Sequence, residues 1–395
     1  MLRYPIFYLG GINMRKIGIG FFGLALILVA TLGCDRIKTV DVKAAAAKVL
    51  DAETAMEQGK PQDAYSLYQQ AVELDPANTK ANFHLGLLSA VTAVEDADTN
   101  KMVALYHGKA LPTKLDQILL VGTSAATTSA TSTTDFEPTH ERAIRLTAHI
   151  STEAKVVEQI QSYLKKVILP RLDAGLAALA NVESNADFSF TLKKSITRAS
   201  KDYEIDLTEV YSVDALLSYL KTLLHEFVAY KWEFDYSKSP LEDANFGILA
   251  SDGKEQMEKS RLAYVRFYDR IIKGIAYWDA ETDDQSDDIA PQNKTASTNE
   301  SKTKLVDYAT KIKQSIEGTS TTFAVTIKKK DKNLAVVYGK YYTDPVPDWK
   351  LYISKDWLNL KRALQASDFA GSYDFTLRGV FPELTSFEKW KDFVN

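Results

Sequence analysis

The chain has 395 residues, 45% of them hydrophobic, and its 48 basic and 52 acidic residues leave a formal charge of −4. That length and apolar content suit two or three folded domains of roughly 150 residues each, and the acidic balance excludes nucleic acid as an expected partner. Its single cysteine, Cys34, excludes an internal disulfide.

At the N-terminus, Arg15 and Lys16 precede an uncharged run, residues 17–32, whose only non-apolar members are glycines and Thr31. The run falls short of the ~20 apolar residues that a membrane-spanning helix needs and fits the core of a cleavable leader. Residues 1–33 are therefore expected to be a signal peptide, with Met14 as the true start. The sequence Ala30-Thr31-Leu32-Gly33-Cys34 resembles the lipobox of bacterial lipoprotein precursors. The family's usual leucine three places before the cysteine is Thr31 here, and its small residue two places before is Leu32. The resemblance implies that Cys34 becomes the lipidated first residue, anchoring the protein in a membrane of the bacterial cell envelope, inner or outer being left open. Removal of residues 1–33, which carry Arg3, Arg15 and Lys16 and no acidic residue, would make the charge three units more negative.

Two polar stretches divide the rest. Residues 122–138 begin as an almost pure Ser/Thr/Ala segment, and residues 283–302 are acidic and then rich in Asn, Ser and Thr, so neither can bury much apolar surface. They set off expected regions 34–121, 139–282 and 303–395. In the first, Ala52, Gly59, Ala64, Tyr68, Ala71 and Pro76 occupy spaced positions of a unit running over residues 45–78. Leu85 and Gly86 repeat the start of that pattern in a second unit from Thr79, which fades after Val94. This pattern resembles the tetratricopeptide repeat, a helix-turn-helix unit of about 34 residues. Small Ala52, Ala64 and Ala71 would let two helices approach, Tyr68 would fill the seam, and Asp75-Pro76 would stop the second helix. So few repeats cannot stand alone; either residues 101–120 complete a short array, or the hairpins dock on the second region.

The second region predicts a helix over residues 207–232, with Asp206 as N-cap and Glu209 completing a capping box. Val210, Val213, Leu217, Leu220, Leu224 and Phe227 form its apolar stripe. Similar stripes span residues 144–168 and 262–278, and Pro170 marks a restart before residues 172–182, giving an irregular helical bundle. Tyr230, Trp232, Phe234 and Tyr236 alternate after the long helix and read as core closure. In the third region a helix through Leu305, Tyr308, Ile312 and Ile316 leads to a strand at Phe323, Val325 and Ile327. A polar turn over residues 328–333 and a return strand over residues 335–342 would complete a β-hairpin. An irregular, aromatic-rich tail over residues 373–390 should dock on the body. The expected class is mainly α.

Chemical motifs are scarce. Phosphate loops, a nucleophile elbow and CxxC are all missing from the sequence. His140-Glu141 and His225-Glu226 begin like a zinc-protease helix, but the second histidine is replaced by Ile144 and Ala229. His225 shares a polar face with Asp214, Ser218 and Lys221 and reads as a solvated histidine. Asp283, Asp284, Asp287 and Asp288 are candidate calcium ligands by charge, without the spacing of a helix-loop-helix site, so a solvated acidic loop is the expected state. No metal or cofactor is expected. Repeat-bearing lipoproteins imply a non-enzymatic adaptor or scaffold with a protein partner in the envelope. The alternatives are an envelope enzyme using scattered residues of the middle helices, or a small-molecule-binding protein.

Overall fold

The computed structural model describes residues 40–92, 155–197, 199–233, 242–282, 286–289, 296–327, 330–351 and 374–394. The leader with Cys34, the stretch containing residues 101–120, the Ser/Thr/Ala segment, His140, Phe234, Tyr236, Asp283 and Asp284 lie outside them. Helix accounts for 64% and strand for 10% of the described residues, so the protein is mainly α with two small antiparallel ribbons.

Helices α1 (Val42–Glu57) and α2 (Pro61–Leu74) form a tight hairpin. Asp41 caps α1 by accepting from the Ala44 N–H at 2.9 Å. Gly59, at φ +70°, makes the turn that only glycine adopts cheaply, and the Gly59 and Lys60 N–H groups return to the Met56 and Ala55 carbonyls. Pro61 then opens α2, where its missing N–H has no cost. Ala52, Ala64, Tyr68 and Ala71 are all fully buried in the seam. Asp75 leaves the helical conformation ahead of Pro76, and the Asn78 side chain caps α3 (Thr79–Val91) through the Ala81 N–H at 2.9 Å.

Beyond α3 the partner is remote in sequence. Helix α3 packs on α5 (Leu169–Glu183), which packs on α7 (Leu207–Ala229); α7 packs on α8 (Gly253–Ala280), and α8 on α9 (Ala296–Ile316). Phe83 of α3 shares one core with Leu172, Leu176 and Leu179 of α5 and Val210, Val213 and Leu217 of α7. The chain enters α5 through α4 (Lys155–Tyr163) and a π-helical turn, Leu164–Ile168. Pro170 therefore does not restart the helix, as the sequence suggested. The wider π turn, in which the Leu169 N–H bonds to the Leu164 carbonyl, accommodates a proline that an α-helical interior would reject.

Between α5 and α7, β1 (Phe190–Leu192) and β2 (Tyr203–Ile205) pair antiparallel around the short α6 (Lys194–Thr197). The capping box of α7 forms as expected: the Thr208 N–H donates to Asp206 Oδ1 at 2.6 Å and the Asp206 N–H to Glu209 Oε2 at 3.1 Å. Tyr230 and Trp232 close a core with Trp349 and Tyr342. Strands β3 (Thr321–Ile327) and β4 (Lys330–Val336) pair from Thr321↔Val336 to Ile327↔Lys330. Residues 330–333 are thus paired strand rather than turn. The return strand also ends early, because Tyr338–Thr343 is helix α10. There the Ser315 hydroxyl donates to the Val336 carbonyl and accepts from the Tyr338 N–H, while a Cβ on Gly339 would sit 2.7 Å from the Ile316 carbonyl oxygen. Contact with α9, which strand periodicity could not register, turns the chain. The tail docks through buried Val380 and Leu384 and ends in α11 (Phe387–Val394), so its last part is helical.

Candidate functional site

Helix α7 is buried on two sides. Its apolar stripe faces α3 and α5, and its polar stripe, which the sequence assigned to solvent, faces α8. Asp214, Ser218, Thr222, His225 and Glu226 are all buried, and Gln256 and Ser260 of α8 are buried opposite them. The solvated reading of His225 is therefore overturned: only 3% of it is exposed, and its Nδ1 lies 2.8 Å from Gln256 Oε1. The amide oxygen can only accept, so Nδ1 carries the proton.

Three polar groups tie the seam together. At one end Lys165 donates to Asp252 at 2.8 Å, Gln256 Nε2 to the same carboxylate at 2.9 Å, and His225 to Gln256, joining the π turn to α8 and α7. Burial alone would raise the Asp252 pKa, but the hydrogen bonds from Lys165 and Gln256 outweigh it and hold the carboxyl below its usual range. In the middle, Tyr342 of α10 donates to Glu226 Oε1 at 3.0 Å and the Ser260 hydroxyl donates to the Thr222 carbonyl at 3.0 Å. At the other end Asp214, with no exposed surface, accepts from Arg266 Nε at 2.8 Å and lies 3.3 Å from Arg270 Nε. Arg270 also pairs with Glu183 of α5 at 2.8 Å. With Asp269 at 2.7 Å, three carboxylates thus share the Arg270 guanidinium. Burial opposes the charge on Asp214 and Glu183, but Arg266 and Arg270 keep Asp214 ionised, while burial and the neighbouring Asp214 raise Glu183.

A second buried polar group lies in the first hairpins. His84, 1% exposed, stacks on the Tyr68 ring at 4.5 Å, and its Nδ1 donates to the Lys80 carbonyl at 2.9 Å. Its Nε2 and the Tyr68 hydroxyl are buried with no hydrogen-bond partner among the described residues. Burial lowers both His84 and His225 to about 4, partly offset by the Lys80 carbonyl and by Gln256 respectively. Because the folded pKa lies below the unfolded value of about 6.5, the stabilising neutral form is fully present above pH 6.5 and lost as pH falls toward 4. We expect unfolding free energy to fall by roughly 3 kcal/mol per histidine across that window. Denaturant titrations at stepped pH test this, and a His84→Leu, His225→Leu double variant with an equally steep profile would refute it.

The tetratricopeptide-like residues gather as spaced: Ala52, Ala64, Tyr68 and Ala71 in the first seam, Gly59 at its turn, Pro76 after α2. Leu85 packs against that core. Gly86 lies under Leu179, whose Cδ2 is 2.5 Å from where a Cβ would stand, and Gly175 opposes the Ser89 side chain in the same helix crossing. Of the acidic candidates, Asp287 and Asp288 join a residue not foreseen, Glu204, with ligand oxygens within 4.8 Å of one another. The Glu204 N–H donates to the Asp287 carbonyl at 3.0 Å and Lys201 donates to the Ser286 carbonyl. One oxygen each of Asp287 and Asp288 is shielded from solvent, but Lys201 already brings a positive charge to this loop, so millimolar calcium should leave the melting temperature unchanged; a saturable rise of several degrees would assign a calcium site.

Sequence reading missed Asp214, Glu183, Arg266 and Arg270 as a connected set, and Glu226 as the partner of Tyr342. The available signal was a pair of complementary stripes, acidic and hydroxyl groups on residues 207–229 and arginines and amides at matching spacing on residues 253–280. No family model, curated protein or solved structure matches the chain. Among the described residues no helix is long and apolar enough to cross a membrane.

Proposed function

We propose that the protein is a non-enzymatic, lipid-anchored envelope protein that serves as an adaptor or scaffold, holding a protein partner against its stacked helices. The observation that carries this reading is the succession α1, α2, α3, α5, α7, α8 and α9, in which each helix packs on the one before. Such a stack buries a continuous core and leaves long helical faces for contact. Close crossings at Ala52, Ala64, Ala71, Gly86 and Gly175 support kinship with tetratricopeptide hairpins. The buried ionisable groups of α7 and α8 bind groups on neighbouring helices, Asp214 with Arg266 of α8, Glu226 with Tyr342 of α10 and Arg270 with Glu183 of α5, a structural use of charge.

The test uses the full chain in its own membrane. Photo-reactive residues placed at exposed Leu50, Leu223 and Leu262 should capture one recurring protein, in a pattern that depends on position. Failure to recover any consistent partner from all three positions would overturn the adaptor reading. Anchoring is read separately: a fatty-acid label should be incorporated and should vanish in Cys34→Ser.

A further inference from the structure

The two strands of the C-terminal ribbon differ in what they leave open. The C-terminal end of β4 is covered: Leu334, Ala335 and Val336 are buried, the Ser315 hydroxyl donates to the Val336 carbonyl, the Val337 N–H just beyond the strand donates to the Val380 carbonyl at 2.9 Å, and the Lys332 side chain donates to the Asp392 and Phe393 carbonyls. Among the described residues, strand β3 pairs only with β4, and no hydrogen bond outside that ladder reaches the backbone of residues 322–327. In an antiparallel ladder alternate residues turn their N–H and C=O groups away from the partner, so on its outer side β3 presents a row of backbone donors and acceptors that no described residue takes up. Seven residues extend this edge over roughly 23 Å.

The side chains fit the same conclusion. Thr321-Thr322-Phe323-Ala324-Val325-Thr326-Ile327 contains no charge, proline or glycine, whereas β4 begins Lys330-Asp331-Lys332. Phe323, Val325 and Ile327 share one face and stay only half-buried, so apolar area remains for a further strand to cover. The segment is also self-complementary. With a twofold axis through Ala324, antiparallel pairing sets Ala324 opposite Ala324, Phe323 opposite Val325, Thr322 opposite Thr326 and Thr321 opposite Ile327. Every cross-strand pair is then small to small, threonine to threonine, or between uncharged residues with apolar contact, and none opposes like charges.

We propose that β3 is an association edge through which two copies of this chain pair antiparallel into a four-stranded sheet. The contact is isologous and closes on itself, so it yields a dimer rather than a fibre. A seven-residue edge is small beside the ~1,200 Å² or more of stable interfaces, which makes the dimer reversible on dilution. This inference is independent of the adaptor reading.

The experiment uses the full chain with Cys34→Ser, so that an introduced thiol is unique. Ala324→Cys should give a disulfide-linked dimer under mild oxidation, since the twofold places the two sulfurs opposite each other, whereas Lys330→Cys on the charged strand should stay monomeric. In sedimentation, the Thr322→Lys, Thr326→Lys double variant, which sets lysines opposite each other, should weaken the dimer at least tenfold with unchanged circular dichroism. If that double variant fails to fold, the cross-link alone decides. The proposal is overturned if Ala324→Cys cross-links no better than Lys330→Cys while the unmutated chain sediments as a monomer at every concentration. It is equally overturned if Ala324→Cys couples to a different protein in the envelope.

Discussion

Asp214→Ala is expected to destabilise the protein by about 3–5 kcal/mol, the usual cost of removing one partner from a buried ion pair. The carboxylate has no exposed surface and neutralises Arg266 and Arg270 together, so its loss leaves the partly buried Arg266 without its carboxylate and Arg270 with Glu183 and Asp269 alone. At ~2–4 °C per kcal/mol the melting temperature should drop by about 10 °C. Asp214→Asn should cost less, because it keeps an acceptor for Arg266 Nε. Asp214→Leu combined with Arg266→Met should recover much of the loss, since apolar replacements of a whole buried pair are often neutral. Thermal melts of the three variants check this; an Asp214→Ala protein within 1 kcal/mol of the parent would mean that the arginines find other partners.

Gly175→Ala should cost about 1–3 kcal/mol, against the stabilisation that the same change brings to most helices. A Cβ there would fall on the Ser89 hydroxyl, 2.9 Å from Ser89 Cβ and 3.4 Å from Leu217 Cδ1. Either α3 and α5 would have to move apart at this crossing, or Ser89 would have to give up the hydrogen bond its hydroxyl donates to the Gly86 carbonyl. The cause is specific, so Ser89→Gly in the same molecule should relieve part of the penalty, giving a coupling energy of at least ~0.5 kcal/mol. Urea titrations of both single variants and the double variant measure it. Strictly additive losses would show that the crossing is looser than the contact implies.

The local features of this fold were legible in residue order. Ala52, Gly59, Ala64, Tyr68 and Ala71 announced a hairpin because close helix crossings need small residues at fixed spacing, and Asp206 with Glu209 announced the start of α7 through a purely local hydrogen-bond pattern. What escaped was relational. A polar stripe such as Asp214, Ser218, Thr222 and His225 looks the same whether water or another helix lies beyond it. Only Gln256, Ser260, Arg266 and Arg270 on α8 reveal which. Likewise Tyr338–Thr343 has strand-forming residues, and its helical state comes from Ser315 and Ile316 of α9. Pro170 pointed correctly to an irregularity, but its form, a π turn just upstream, depends on how α5 continues into the core.

The remote pairing of α3 with α5 also sets an order of assembly. Helices α1 and α2 meet across a short turn and α3 follows onto α2, while the Phe83 face of α3 must wait for a partner that begins at Leu169. Each doubling of the intervening chain adds ~0.6 kcal/mol of closure entropy, and roughly five doublings separate the two cases, so the second pairing starts about 3 kcal/mol behind the first. During synthesis from the N-terminus, α3 therefore spends time docked on the first hairpin through Leu88 with Phe83 still uncovered, and the slow step of folding is expected to be the arrival of α5 on α3.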